Sequence, residues 1–136
     1  MKRFINARAI NIMVKGYRKG YMAEWTLTHE LAKRGYMAVR TPRSGRIGLP
    51  SPDIIAAKNG KLIVIECKSR AKGFQIPLEQ LNELKEWEDK AGAKAYVALK
   101  ISRKGFFFID LIHVINNNGN IGKKFIEEKS IGIDMI

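Results

Sequence analysis

The sequence is poor in the residues that staple or metallate small domains. It has one cysteine and two histidines. An intrachain disulfide and a four-cysteine zinc site are therefore excluded, and neither His29 nor His113 has a partner at zinc-ligand spacing. It lacks the run of about 18 apolar residues that a bilayer-spanning helix needs. The basic start has no continuous apolar core of the signal-peptide kind. No segment is long, basic and amphipathic together, so a membrane-surface helix is not expected. Gly122-Lys123-Lys124 lacks the glycine spacing and the Ser or Thr of a phosphate-binding loop, so no nucleotide cofactor is expected. Acidic residues are the most telling shortage. Residues 1–78 contain only Glu24, Glu30, Asp53 and Glu66, against 16 Lys or Arg.

What is present fits one folded domain. The chain has 136 residues, of which 46% are hydrophobic, enough for a core without staples. The formal net charge of +12 belongs wholly to residues 1–78, because residues 79–136 carry nine basic and nine acidic side chains. Six of the first 23 residues are Lys or Arg, and none is acidic. An excess spread over half a chain points to a polyanionic partner, nucleic acid first. No aromatic RNA-stacking motif is visible, which favours DNA. The expected location is the cytoplasm, or the host cytoplasm for a viral chain.

The pattern along the chain alternates helix and strand. Residues 1–19 show no clear period and read as an arm or short helix. Tyr21–Arg34 reads as a helix, with Ala23, Leu27 and Leu31 on one face and Gly35 at its end. Tyr36–Thr41 reads as a strand, and Pro42–Pro52 as a loop. Asp53–Lys58 and Lys61–Lys68 form a hairpin on Asn59-Gly60, which suits a two-residue turn. Ile76–Ala91 is a second helix. Lys94–Ile101 and Phe106–Ile112 are two more strands, and the rest reads as loop and tail. This predicts a single α/β domain: a mixed five-stranded sheet flanked by helices.

The hairpin register gathers chemistry. Asp53 lies six residues before Asn59 and Glu66 six after Gly60, so ordinary pairing sets the two carboxylates nearly opposite each other. Adjacent carboxylates repel unless a cation stands between them. Hard oxygen ligands without histidine or cysteine suit Mg²⁺ or Mn²⁺. Lys68, two positions on from Glu66, shares its face of the strand and can orient water or stabilise charge on a phosphate. Taken singly, Asp53 could cap a turn and Glu66 could pair with Lys68 at the surface. Cys67 points the other way and reads as a packing residue.

Ser51-Pro52-Asp53, twelve residues, then Glu66-Cys67-Lys68 resembles the PD-(D/E)xK nuclease signature. Tyr17-Arg18-Lys19-Gly20, then Ala23-Glu24 opening a helix, then Gly35-Tyr36-Met37-Ala38-Val39-Arg40, is similar to the archaeal-type Holliday junction resolvases and their viral and phage relatives. The resemblance covers about residues 16–100. It implies a restriction-endonuclease-like fold, a homodimer, Mg²⁺ dependence with Mn²⁺ as substitute, and paired symmetric nicks in four-way DNA junctions. It also implies roles. Asp53 and Glu66 would hold the metal, with Glu24 and the Cys67 carbonyl, and Lys68 would position the attacking water. Arg40 and Ser44 would hold phosphate, with Arg43 and Arg46 nearby. Arg18 and Lys19 would grip the DNA backbone, and Gln80 would be an accessory group. Two departures stand out: Met22 replaces a basic residue often found before Ala-Glu, and the loop from Ser44 to Asp53 is long. Residues 1–15 then read as a basic N-terminal arm and residues 16–136 as the nuclease domain. The dimer interface is expected on the second helix, the Phe106–Ile112 strand and the tail residues Ile131, Ile133, Met135 and Ile136. The rival readings are another nuclease of the same superfamily, a repair or restriction-like enzyme, and a non-catalytic junction-binding module.

Overall fold

The computed structural model describes residues 7–42, 48–69 and 72–136, with side chains from Gly20 onward. Arg43, Ser44 and Arg46 lie outside the described residues, and Arg18 and Lys19 are described in their backbone alone.

The first helix, α1, spans Ala7–Lys33. It starts well before the expected Tyr21. The first proline of the chain is Pro42, and a helix runs through glycines such as Gly16 and Gly20 at a cost of only about 1 kcal/mol each. Leu27 and Leu31, both fully buried, seat its second half on the sheet. Strand β1 (Met37–Arg40) leads by way of the loop into β2 (Ile54–Lys58) and β3 (Lys61–Lys68). These two form the expected hairpin, with Lys58 opposite Lys61 and Ile54 opposite Ile65. A short strand β4 (Phe74–Gln75) precedes helix α2 (Leu78–Ala91), which Gly92 closes in a left-handed conformation. Strand β5 (Lys94–Ile101) runs parallel to β3, and β6 (Gly105–Asp110) returns antiparallel to β5. The main sheet has the order β1-β2-β3-β5-β6, the mixed five-stranded sheet expected from the pattern.

The rest of the chain is more ordered than a loop and tail. Asp110 accepts a hydrogen bond from the Ile112 amide at 3.1 Å, which caps α3 (Leu111–Asn116) and ends β6 two residues before the expected Ile112. Strand β7 (Asn120–Ile121) pairs with β4 in a second, two-stranded sheet. Helix α4 (Lys123–Lys129) and a 3₁₀ turn (Ile133–Met135) complete the chain.

Each face of the main sheet carries one core. Leu27, Leu31, Tyr36, Ile54, Ile65, Tyr96 and Phe108 pack on the α1 face. Val64, Leu81, Leu84, Val97, Leu99 and Ile109 pack on the α2 face. Phe106 and Phe108 join the first cluster and Phe107 the second, the alternation a strand imposes. The tail is consumed internally: Ile131 exchanges two backbone hydrogen bonds with Phe108, at 2.8 and 2.9 Å, Ile133 and Ile136 pack on the α1-face cluster, and Asp134 meets Arg34 at 2.8 Å. Phe108 is fully buried and so lies outside any dimer surface, whereas Ile131, Ile133 and Ile136 are half-buried and Met135 is exposed.

Candidate active site

The parallel pairing of β3 with β5 brings the ends of several strands to one edge of the molecule. The C-terminal ends of β1, β3 and β5 and the entry to β2 all lie at that end of the sheet. Pro52 is buried just before β2, at a strand entry where its missing N–H costs no ladder bond. With Ile54 opposite Ile65, the next pair outward is Asp53 and Glu66. Both are largely buried, at 8% and 9% exposure, and they are the buried charged residues among those described.

Asp53 is fixed by its neighbours. Its Oδ2 accepts a hydrogen bond from the Cys67 amide at 2.8 Å, which ties the start of β2 to the last turn of the pleat in β3. Its carbonyl accepts from the Thr41 amide at 2.9 Å. Lys68 Nζ stands 3.4 Å from Glu66 Oε1 and donates to Gln80 Oε1 at 3.3 Å. Helix α2 therefore delivers Gln80 to the lysine. Glu24, near the middle of α1, accepts a hydrogen bond from Arg40 Nε at 3.0 Å. The Arg40 guanidinium also lies 4.5 Å from the centre of the Tyr21 ring.

The electrostatics join these pairs into one cluster. Burial is the main cause that pushes the Glu66 carboxyl up, to about 8, and the Asp53 charge adds to it against the pull of Lys68. Glu24 is raised by burial first and by Asp53 second, with Arg40 opposing. Burial and the surrounding carboxylates push the Cys67 thiol far up, so it is a neutral packing group. Asp53 is thus the charge that both other carboxylates feel. Burial first and the Asp53 charge second favour the protonated form of both Glu24 and Glu66, and a divalent cation among these oxygens would favour the charged forms. The donor set is all hard oxygen, which fits a divalent cation such as Mg²⁺. Among the described residues, no three acidic, His or Cys side chains are already drawn into a closed cage. Glu24 is turned to Arg40 and Glu66 to Lys68.

One residue near the site was missed. Glu83 lines the same small cavity as Ser51, Pro52, Glu66 and Gln80. Its signal was one turn of α2, since Gln80 and Glu83 lie three residues apart and share a face. Trp87, one turn further, donates its indole N–H to the Pro50 carbonyl at 3.0 Å. That bond clamps the end of the long loop onto α2, just before Asp53.

A five-stranded mixed sheet that ends in this carboxylate and lysine cluster defines a nuclease of the restriction-endonuclease-like class. Comparison with known proteins narrows the class. Residues 15–135 match the family described as archaeal Holliday junction resolvase (hjc). A crossover junction endodeoxyribonuclease (Hjc) of Methanocaldococcus jannaschii is 30% identical over 122 residues, 87% of this chain and 84% of that one. Another Hjc, of Sulfolobus acidocaldarius, is 36% identical over 88 residues, and that match spans 62% of either chain. The crystal structure of Archaeoglobus fulgidus Hjc, a Holliday junction resolvase from an archaeal hyperthermophile, superposes with a TM-score of 0.75 at 30% identity and covers 82% of this chain and 93% of that one. The chain belongs to the archaeal Holliday junction resolvase family and is a structure-selective nuclease of that family. Family membership implies a divalent metal ion. Among the described residues, no helix is long and apolar enough to cross a membrane.

Proposed function

We propose that this chain binds four-way DNA junctions as a homodimer and hydrolyses one phosphodiester per protomer, to leave paired symmetric nicks. The observation that carries the reading is the cluster in which Asp53 stands between Glu24 and Glu66, with Lys68 beside it. When bound, a divalent cation, Mg²⁺ or Mn²⁺, supplies positive charge to a phosphoryl oxygen and acidifies water. Asp53 and Glu66 are its holders, with Glu24 and the Cys67 carbonyl adding oxygens. Lys68, steadied by Glu66 and Gln80, orients the attacking water and stabilises the charge that grows on the phosphate. Gln80 sets where the ammonium points. Arg40 balances Glu24 and faces the scissile strand, with Arg43, Ser44 and Arg46 of the adjoining loop as further phosphate contacts. Arg18 and Lys19 on α1 grip the backbone. The family match over residues 15–135 supports a nuclease domain over 16–136, and the basic residues before it are assigned to an arm over 1–15 that also meets DNA.

Two nicks placed across a junction call for two sites, and a C₂ dimer supplies them. Phe108 is buried and the tail isoleucines are half-packed against the α1-face core, so the edge strand and the α2 side offer the more open apolar surface. On β1, Ala38 packs into the α1-face core, so Met37 and Val39 point to the α2 face. There they stand exposed, at 81% and 60%, beyond the reach of α2. Exposed Leu49 and half-buried Pro50 line a groove of about 300 Å³ with Trp87 and Ala91, and Glu86 and Lys90 stand at the same groove. The exposed Met37 and Val39 and the apolar part of this groove are of the kind a second copy covers. The test of the whole reading is cleavage of a four-way junction against its component duplexes in Mg²⁺. Junction-selective, symmetric nicking supports it, and equal cutting of linear duplex points to another nuclease of the same fold.

A further inference from the structure

We infer that the β5–β6 hairpin tip, Ser102-Arg103-Lys104, is a DNA-phosphate contact that holds a junction arm beside the catalytic end of the sheet; this deepens the resolvase reading and rests on it. The location follows from register. Lys68 is opposite Leu99 on the parallel strand β5, and the β5–β6 ladder closes at Ile101 and Gly105. The tip therefore projects past the level of Lys68 by roughly 10 Å at ~3.3 Å per residue, on the strand next to β3.

Charge gives the partner. The second half of the chain is neutral as a whole, yet residues 94–109 contain Lys94, Lys100, Arg103 and Lys104 and no acid. Lys94 pairs with Asp110, and elsewhere in that half Lys85, Lys90 and Lys124 each stand within 4.0 Å of a carboxylate, while exposed Lys123 and Lys129 have no such pair among the described residues. Among the described residues, Arg103 and Lys104 have no such partner, and both are exposed. Lys72, just past β3, is exposed in the same way. Unpaired cations at the end of the sheet where the scissile phosphate must lie suit a polyanion that passes over the site.

The backbone adds an independent sign. Arg103 has φ 65°, in the left-handed region. The other non-glycine residues at positive φ among those described are Asn59 and Asn118, a type that tolerates it. Glycine would fit position 103 without a Cβ clash, and the turn bond from the Lys104 amide to the Ile101 carbonyl, 3.0 Å, needs no arginine side chain. The turn thus carries an arginine at a position whose backbone does not call for one, with the side chain free to reach a phosphate.

The test uses the full chain and a four-way junction, with Ca²⁺ to hold off cleavage. Arg103→Gly combined with Lys104→Ala is compared with Lys61→Ala, a cation at the opposite hairpin turn. The double variant should bind the junction about tenfold more weakly, with a log–log salt slope shallower by about two phosphate contacts. Its urea midpoint should be no lower than the parent's. Its single-turnover cleavage rate at saturating protein in Mg²⁺ should stay within twofold, and Lys61→Ala should change none of these. A parent that binds the junction and a folded double variant that binds with the same affinity and slope overturn the hairpin contact and leave the resolvase reading standing. A parent with no junction affinity overturns both.

Discussion

Arg40 Nε lies 3.0 Å from Glu24 Oε2, and through this pair the outer edge of the sheet reaches the first helix close to where Asp53 leads into β2. The arginine is the counter-cation that keeps one of three clustered carboxylates available. Without it, Glu24 faces Asp53 with no compensation, and its already raised carboxyl rises further. Arg40→Ala should lower the junction-cleavage rate at neutral pH by at least about tenfold and move the pH–rate profile upward, because metal-holding oxygens must first lose protons. Arg40→Lys should recover part of the rate. A pH–rate profile of the three proteins reads this directly.

Lys68 is held by Glu66 on its own strand and by Gln80 from α2. Lys68→Ala removes the group that meets charge developing on the phosphate and should cost about 10² to 10³ in single-turnover rate. Gln80→Ala leaves the ammonium less well aimed and should cost about tenfold. Junction affinity should change by less than threefold in either, measured by gel shift in Ca²⁺.

The raised carboxyl of Glu66 carries a stability signature. Its folded value of about 8 lies above the ordinary 4.5, so the folded state holds this proton more tightly than the unfolded chain does. The resulting stability is full below about pH 4.5 and is lost as pH rises towards 8. Glu24 acts in the same direction. The metal-free protein should therefore lose melting temperature across that window. Glu66→Gln should flatten the loss, and millimolar Mg²⁺ should offset it, most strongly at the alkaline end. Melting curves from pH 5 to pH 9, with EDTA and with Mg²⁺, check the sign.

Helix α1 owes its seat to Leu27 and Leu31, both fully buried. Leu27→Ala should destabilise the fold by about 2–5 kcal/mol, read by urea unfolding. Its effect on cleavage should be larger than on junction binding, because Glu24 lies on the preceding turn and moves with the helix.

Met37 and Val39 expose an apolar strip on the edge strand. Val39→Asp paired with Met37→Asp should convert a dimer to a monomer in sedimentation, with little loss of secondary structure. The monomer should nick junctions singly rather than in symmetric pairs.

The hairpin and its carboxylates were legible because local rules decide them: Asn59-Gly60 fixes the turn, the turn fixes the register, and the register sets Asp53 against Glu66. The core face of α1 was legible for the same reason, through Leu27 and Leu31 at helical spacing. The rest depended on contacts distant in sequence. Nothing local says that Arg40 meets Glu24, or that Trp87 reaches back to Pro50. Phe106–Ile112 is apolar enough to read as one strand throughout, and only the Asp110 cap divides it from α3. Helices as short as α3 and α4 span fewer than two turns, too little for a period to show. Ile131, Ile133 and Ile136 looked like spare surface because their partner is the face of β6, set by the folded sheet.

The most direct measurement of the central claim is cleavage of a four-way junction in Mg²⁺ by the parent and by Asp53→Asn, each beside a linear duplex of the same sequence. The account predicts paired, symmetric nicks in the junction, little cutting of the duplex, and a loss of more than about 10³ in rate for Asp53→Asn with junction binding retained. Cleavage that survives Asp53→Asn, or a parent that cuts duplex and junction alike, would contradict it.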